Sequence, residues 1–181
     1  PTPEKMTPPA VVSAAWQDAV ATADRHNKPH LFTAFPAYEW TFTISGDNLH
    51  RVVLYREGRG YADKIVPFSS QDSNDPEDLW NAMAYYESLT AGLTLAIPHN
   101  SNVSNGRMFA PTTLSGVPLS REYAEARVRW EPLLEVTQVK GDSETHPFLS
   151  PDDRYADFEQ WDEGHIALTA DKADWMYAQE Y

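Results

Sequence analysis

Helices alternating with short apolar strands predict an α/β fold for this chain, with a largely parallel sheet or a barrel. Three observations carry that prediction. The hydrophobic pattern switches repeatedly between helical spacing and short apolar runs. The 181 residues, 41% of them hydrophobic, suffice for one sizeable core. No internal repeat or low-complexity tract interrupts the alternation.

Residues 1–10 carry four prolines and read as an extended lead-in. Val12, Trp16 and Val20 stand four apart and predict a helix from Val11 to about Asn27, with Ser13 as a cap. The aromatic run Leu31 to Trp40 predicts a buried strand, although Pro36 interrupts it. Thr41 to Ile44 stays β-like, Ser45-Gly46-Asp47-Asn48 is turn chemistry, and Arg51 to Tyr55 resumes as a strand. Asp75-Pro76-Glu77-Asp78 starts a helix: a capping Asp, Pro at the first helical position and acids in the first turn. Leu79, Met83 and Tyr86 mark its apolar face, and Gly92 is the expected stop. Leu93 to Ile97 is a strand that ends at Pro98-His99-Asn100, followed by a Ser/Asn/Pro/Gly-rich loop to about Ser120. Arg121 to Arg129 reads as a helix, and Leu133 to Val139 as a last strand.

Composition removes several function classes. A net charge of −13 opposes binding to nucleic acid or to an anionic bilayer. Without cysteine there is no thiol nucleophile, disulfide or Cys-ligated zinc. No apolar run approaches the roughly 18–20 residues of a membrane span. No phosphate loop, nucleophile elbow or dinucleotide fingerprint is present.

In α/β folds, ligands gather where strands end. The first strand ends at Glu39, the third at His99, and the last leads within a few residues to Glu144 and His146. Carboxylate and imidazole are the ligands of a divalent metal such as Zn or Mn in a hydrolase. Pro98 fixes the backbone just ahead of His99, so that imidazole should project from the sheet. His50 admits two readings. In a hairpin with Thr43 facing His50, Glu39 would lie on the order of 13 Å away, too far to share a metal. Were residues 40–49 instead a loop leaving the strand, His50 could approach the site. His26, His30 and His165 sit in polar surroundings and read as surface residues.

Several short motifs occur in one order: Ala37-Tyr38-Glu39-Trp40-Thr41, Asn48-Leu49-His50-Arg51, Ile97-Pro98-His99-Asn100, Ser104-Asn105-Gly106, Glu131 to Gln138, and Ser143-Glu144-Thr145-His146-Pro147. Over residues 30–160 this set resembles a large bacterial family known as domain of unknown function 3604. That family is similar to the polymerase and histidinol phosphatase (PHP) superfamily of metal-dependent phosphoesterases. The resemblance implies part of a distorted (β/α)7 barrel carrying two or three divalent metals (Zn, Mn or Fe). It implies Glu39 as a bridging carboxylate and His99 and His146 as histidine ligands, with His50 in a family motif. Glu39 and His99 are thereby the expected catalytic pair. Glu135, Glu144 and Asn100 become candidates to support ligands or substrate, and Arg51 or Arg107 to meet an anionic substrate.

PHP sites open with a His-x-His pair and close with a late Asp-x-His pair, and neither stands in its place here. The expectation is therefore a single internal fragment of a longer enzyme. Residues 1–30 form its lead-in and helix, 30–160 the central part of the domain and 161–181 a C-terminal extension. Such a fragment should be inactive and bind metal weakly or not at all, while its parent acts on a small anionic or phosphorylated substrate. An incomplete barrel exposes sheet edges, which predicts a homodimer. The alternative is a non-catalytic binding or scaffold domain for a carbohydrate or small anion. A bacterial protein of this kind could reside in the cytoplasm, in the periplasm or outside the cell.

Overall fold

The computed structural model describes residues 7–143, 147, 150–160 and 165. Helix α1 (Pro9–His26) begins four residues ahead of Ser13, because Pro8 and Pro9 supply a ready-made first turn. Its Trp16 and Val20 are buried, as their spacing requires. Strand β1 (Ala37–Trp40) then leads through a narrow ribbon, β2 (Thr43–Ile44) against β3 (Asp47–Asn48), into β4 (Arg51–Tyr55). Ser45 and Gly46 both take positive φ at the ribbon's tip, the two-residue turn whose twist suits a hairpin. Gly46 is required twice over, since a Cβ there would come within 2.7 Å of the His165 ring. That histidine is buried rather than on the surface.

Helix α2 (Pro76–Thr90) starts as its residues dictate, with the Asp75 carboxylate accepting from Glu77 N at 2.9 Å. It stops one residue earlier than Gly92, at Ala91 with φ 57°. Gly92 is instead the place where the Tyr86 hydroxyl approaches, and a Cβ there would collide with it. Strand β5 (Thr94–Pro98), helix α3 (Arg121–Trp130) and the ribbon β6 (Thr137–Gln138) against β7 (Gly141–Asp142) complete the elements.

Backbone hydrogen bonds fix the strand directions. Leu49 N donates to Phe42 O and Tyr55 N to Pro36 O, so the partner number falls as β4 advances and β1 and β4 are antiparallel. His99 N donates to His50 O and Arg56 N to Leu93 O, which makes β4 and β5 antiparallel as well. The three strands lie in the order β1-β4-β5, beside the separate two-stranded sheets β2-β3 and β6-β7.

These open sheets overturn the expected barrel. A (β/α)7 barrel needs each strand parallel to its neighbour and joined to it by a helical crossover. Here β1 reaches β4 through a hairpin, and the crossover through α2 delivers β5 antiparallel to β4. No barrel-closing pairing exists among the described residues. Two strand expectations also shrink. Leu31 and Phe32 are exposed rather than buried, Phe32 makes only an isolated bridge to Lys28, and Ala37–Trp40 is the part of that run that forms a strand. Leu133, Leu134 and Val136 are likewise exposed, and only Thr137–Gln138 joins a ladder.

The described residues form two compact units. The first draws on Pro1–Tyr38 and Val53–Leu95, the second on Glu39–Val52 and Ala96–Tyr181. In the first, Trp16 donates from Nε1 to Ala62 O at 2.8 Å and meets Tyr38 and Tyr55 edge-on. Tyr86 from α2 packs against Tyr55 with ring centroids 4.7 Å apart. In the second, Trp40, Leu49, Ala96, Val103 and Met108 are buried around an Arg51–Glu131 ion pair.

Candidate metal centre

Alternation along the strands decides which side chains can meet. Arg51, Val53 and Tyr55 of β4 are buried and Val52 and Leu54 are half-exposed; β5 repeats the pattern. The same alternation carries His50 and His99 onto the half-exposed face. His99 N bonding to His50 O makes them direct cross-strand neighbours, with ring centroids 5.8 Å apart. On the other side of β4, the register puts Glu39 opposite Val52, one diagonal step from His50 on that same face.

The chemistry follows from that placement. Glu39 Oε1 lies 2.7 Å from His50 Nδ1 and 3.5 Å from His99 Nε2. The three ligand atoms all fall within 4.8 Å of one another. Two donors on one tetrahedral ion with bonds near 2.0–2.2 Å stand about 3.3 Å apart, so the set fits a single divalent ion after small side-chain adjustments. Each imidazole keeps its second nitrogen against an oxygen: His99 Nδ1 is 3.5 Å from Ile97 O, and His50 Nε2 is 3.4 Å from Thr43 Oγ1. Metal-binding histidines are oriented in this way. The histidine side chains are 14–16% exposed and Glu39 is 47% exposed, leaving the centre open on the carboxylate side. Two histidines and one glutamate with an open position is the ligand pattern of catalytic rather than structural zinc.

Buried asparagines hold the ligands. Asn48 donates from Nδ2 to the carbonyls of His99 (2.8 Å) and Asn100 (3.2 Å). Asn100 takes a left-handed conformation, φ 57°, which asparagine tolerates and which turns the chain out of the sheet directly after His99. Its N–H donates to Glu135 Oε2 at 2.9 Å, so Glu135 supports the loop of His99 rather than joining the ligand cluster.

Burial lowers the pKa of His50, and His99 and Lys140 lower it further, against an upward pull from Glu39. The 2.7 Å contact with Glu39 needs no charge on the ring, because a neutral Nδ1–H also donates. Folded His50 thus resists a proton that the unfolded chain accepts. Its contribution to stability is complete above the ordinary histidine pKa of about 6.5 and is lost as pH falls toward the lower folded value. Metal-free protein should therefore lose stability on moving from about pH 7.5 to about pH 5.5, and H50Q should flatten the slope. Urea unfolding of both proteins at the two pH values checks this; equal slopes would remove His50 as the source.

The remaining candidates are placed as follows. Arg51 is on the opposite, buried face, donating to Glu131 Oε1 at 2.9 Å and to Leu49 O at 2.7 Å. Arg107 pairs with Asp47. Glu144 and His146 lie outside the described residues. A cavity of about 360 Å³ in the first unit is lined by Tyr38, Tyr55, Phe68, Tyr86 and Leu89, and contains none of the three ligand residues. Asn48 and Lys140 escaped the sequence reading. A lone amide or lysine makes no pattern, although Asn48 did stand beside His50 in a motif. No helix among the described residues is long and apolar enough to cross a membrane.

Residues 2–181 match the family model described as a protein of unknown function (DUF3604). No curated protein and no solved structure matches the chain.

Proposed function

The chain belongs to the DUF3604 family, and on that premise we propose that it supplies the metal centre of a hydrolase acting on phosphoesters. The observation that carries this reading is the convergence of Glu39, His50 and His99, three ligand atoms within 4.8 Å on one open face. The similarity of that family to the PHP phosphoesterases supports the phosphoester, and the nitrogen-rich donor set favours Zn, Mn or Fe over Mg or Ca.

A divalent ion bound there would act as a Lewis acid on water and on a phosphoryl oxygen. The chain's own residues do the rest. His50 and His99 present one ring nitrogen each, and the His50 ring stays neutral down to a lower pH than an ordinary histidine. Glu39 makes both of its contacts through Oε1, which leaves Oε2 available to accept a proton from water. Asn48 and Asn100 hold the His99 loop against the sheet.

Titration calorimetry with zinc and with manganese tests the reading. The expected result is one ion bound per chain. At a metal concentration a hundred times the Kd, the folded state should gain about 2.7 kcal/mol, seen as a raised Tm that a chelator reverses. Absence of binding with either metal would overturn the proposal.

A further inference from the structure

Resting on that metal reading, we propose that Lys140 is the specificity residue of the site, its ammonium taking an oxygen of the substrate's phosphoryl group beside the Glu39–His50–His99 cluster. Lys140 sits at the tip of the β6–β7 ribbon, where Gly141 takes φ 106° to close the turn. An exposed lysine at a hairpin tip is ordinarily a mobile, solvated charge. This one is held at both ends.

Its backbone carbonyl accepts from Asn102 Nδ2 at 2.9 Å, and Asn102 is itself buried and bonded to Ser143. Its Nζ donates to Asn100 Oδ1 at 3.1 Å and to Gln138 Oε1 at 3.3 Å. The Gln138 amide in turn donates to both oxygens of Glu135, whose carboxylate also receives Asn100 N. Asn100 directly follows His99, so the loop that carries a ligand also carries the anchor of the ammonium. Ordering a lysine costs side-chain entropy, which two neutral acceptors offset without neutralising the charge. Among the described residues Lys140 forms no ion pair with a carboxylate. Arg51 and Arg107 are committed to Glu131 and Asp47, which leaves Lys140 as the cation near the cluster, among the described residues, whose charge is not paired with a carboxylate. A phosphoryl group, which has oxygens for both a metal and an ammonium, is the ligand this pairing suits.

The test uses the full chain loaded with manganese, whose paramagnetism broadens the ³¹P resonance of inorganic phosphate bound nearby. Wild type and K140R should broaden it, and K140M should need roughly tenfold more phosphate for the same effect. Manganese affinity, measured separately by calorimetry, should be equal or slightly higher in K140M, because a like charge has been removed. Equal phosphate binding by wild type and K140M, both holding manganese, would overturn the role of Lys140 and leave the metal centre standing. Manganese-loaded wild type that broadens no phosphate signal would do the same. Failure of wild type to hold manganese would remove both readings together.

Discussion

Replacing His99 by alanine should lower zinc or manganese affinity by more than a hundredfold while leaving the sheet intact. Loss of a residue that merely orients a metal ligand typically costs ten- to a hundredfold, and a ligand itself costs more. The fold tolerates the change because His99 directly follows β5, keeps its backbone bond to His50, and lies on the half-exposed face, away from the core of Trp40, Arg51 and Ala96. The loop is held independently through the carbonyls of His99 and Asn100, which accept from Asn48, and through Asn100 N, which meets Glu135. E39Q should behave similarly at the metal, since the amide keeps the shape but loses the charge. Calorimetric titration beside far-ultraviolet circular dichroism separates the effects. Unchanged metal affinity in H99A would place the ion elsewhere and sink the proposed centre.

E131Q is the substitution expected to cost most in stability. The Glu131 carboxylate accepts from Arg51 Nε at 2.9 Å on Oε1 and forms an ion pair with Arg127 Nη2 at 3.1 Å from Oε2, and the side chains of Arg51 and Glu131 are each 1% exposed. An amide of the same shape leaves two guanidinium groups without their shared counter-charge. Breaking such a buried pair typically costs about 3–5 kcal/mol, a large part of the roughly 5–15 kcal/mol that stabilises a domain. The triple variant R51M/R127M/E131M should lose much less, since all three desolvated charges disappear together. Urea midpoints for the two variants give the comparison. A midpoint for E131Q within error of wild type would show the pair to be solvated in practice.

The helices and the central strands were legible in the residues. Asp75-Pro76 sets the start of α2, Val12, Trp16 and Val20 orient α1, and Arg51 to Tyr55 alternates cleanly as β4. What failed was direction. A list of helices and strands carries no sign for strand polarity, and the pairing of β4 with β5 was free to be antiparallel once their linking helix lay between them. Apolar composition also misled at both margins. Leu31 to Phe35 and Leu133 to Val136 look like buried strands, yet many of their side chains remain exposed.

At the site, the idea that strand ends collect ligands survives in altered form. In an antiparallel sheet, the ends of β1 and β5 and the start of β4 fall at one edge, which is why Glu39, His99 and His50 meet. His50 turned on a shift of two residues. The ribbon pairs Thr43 with Asn48 rather than with His50, and that brings Glu39 from four pairs away to one diagonal step. No feature of the turn residues alone selects between those registers.

Those three residues also have a consequence for a chain that contains no cysteine. About 49 residues separate His50 from His99, so an ion held by both would close a long loop and clasp β5 onto β4, with Glu39 adding β1. In the chain-entropy picture a covalent tie across a loop of that length removes about 4 kcal/mol of disorder from the unfolded state. A metal at this edge would be the sheet's staple as well as its reagent, and a chelator would act on this protein as a reductant acts on a disulfide-bonded one.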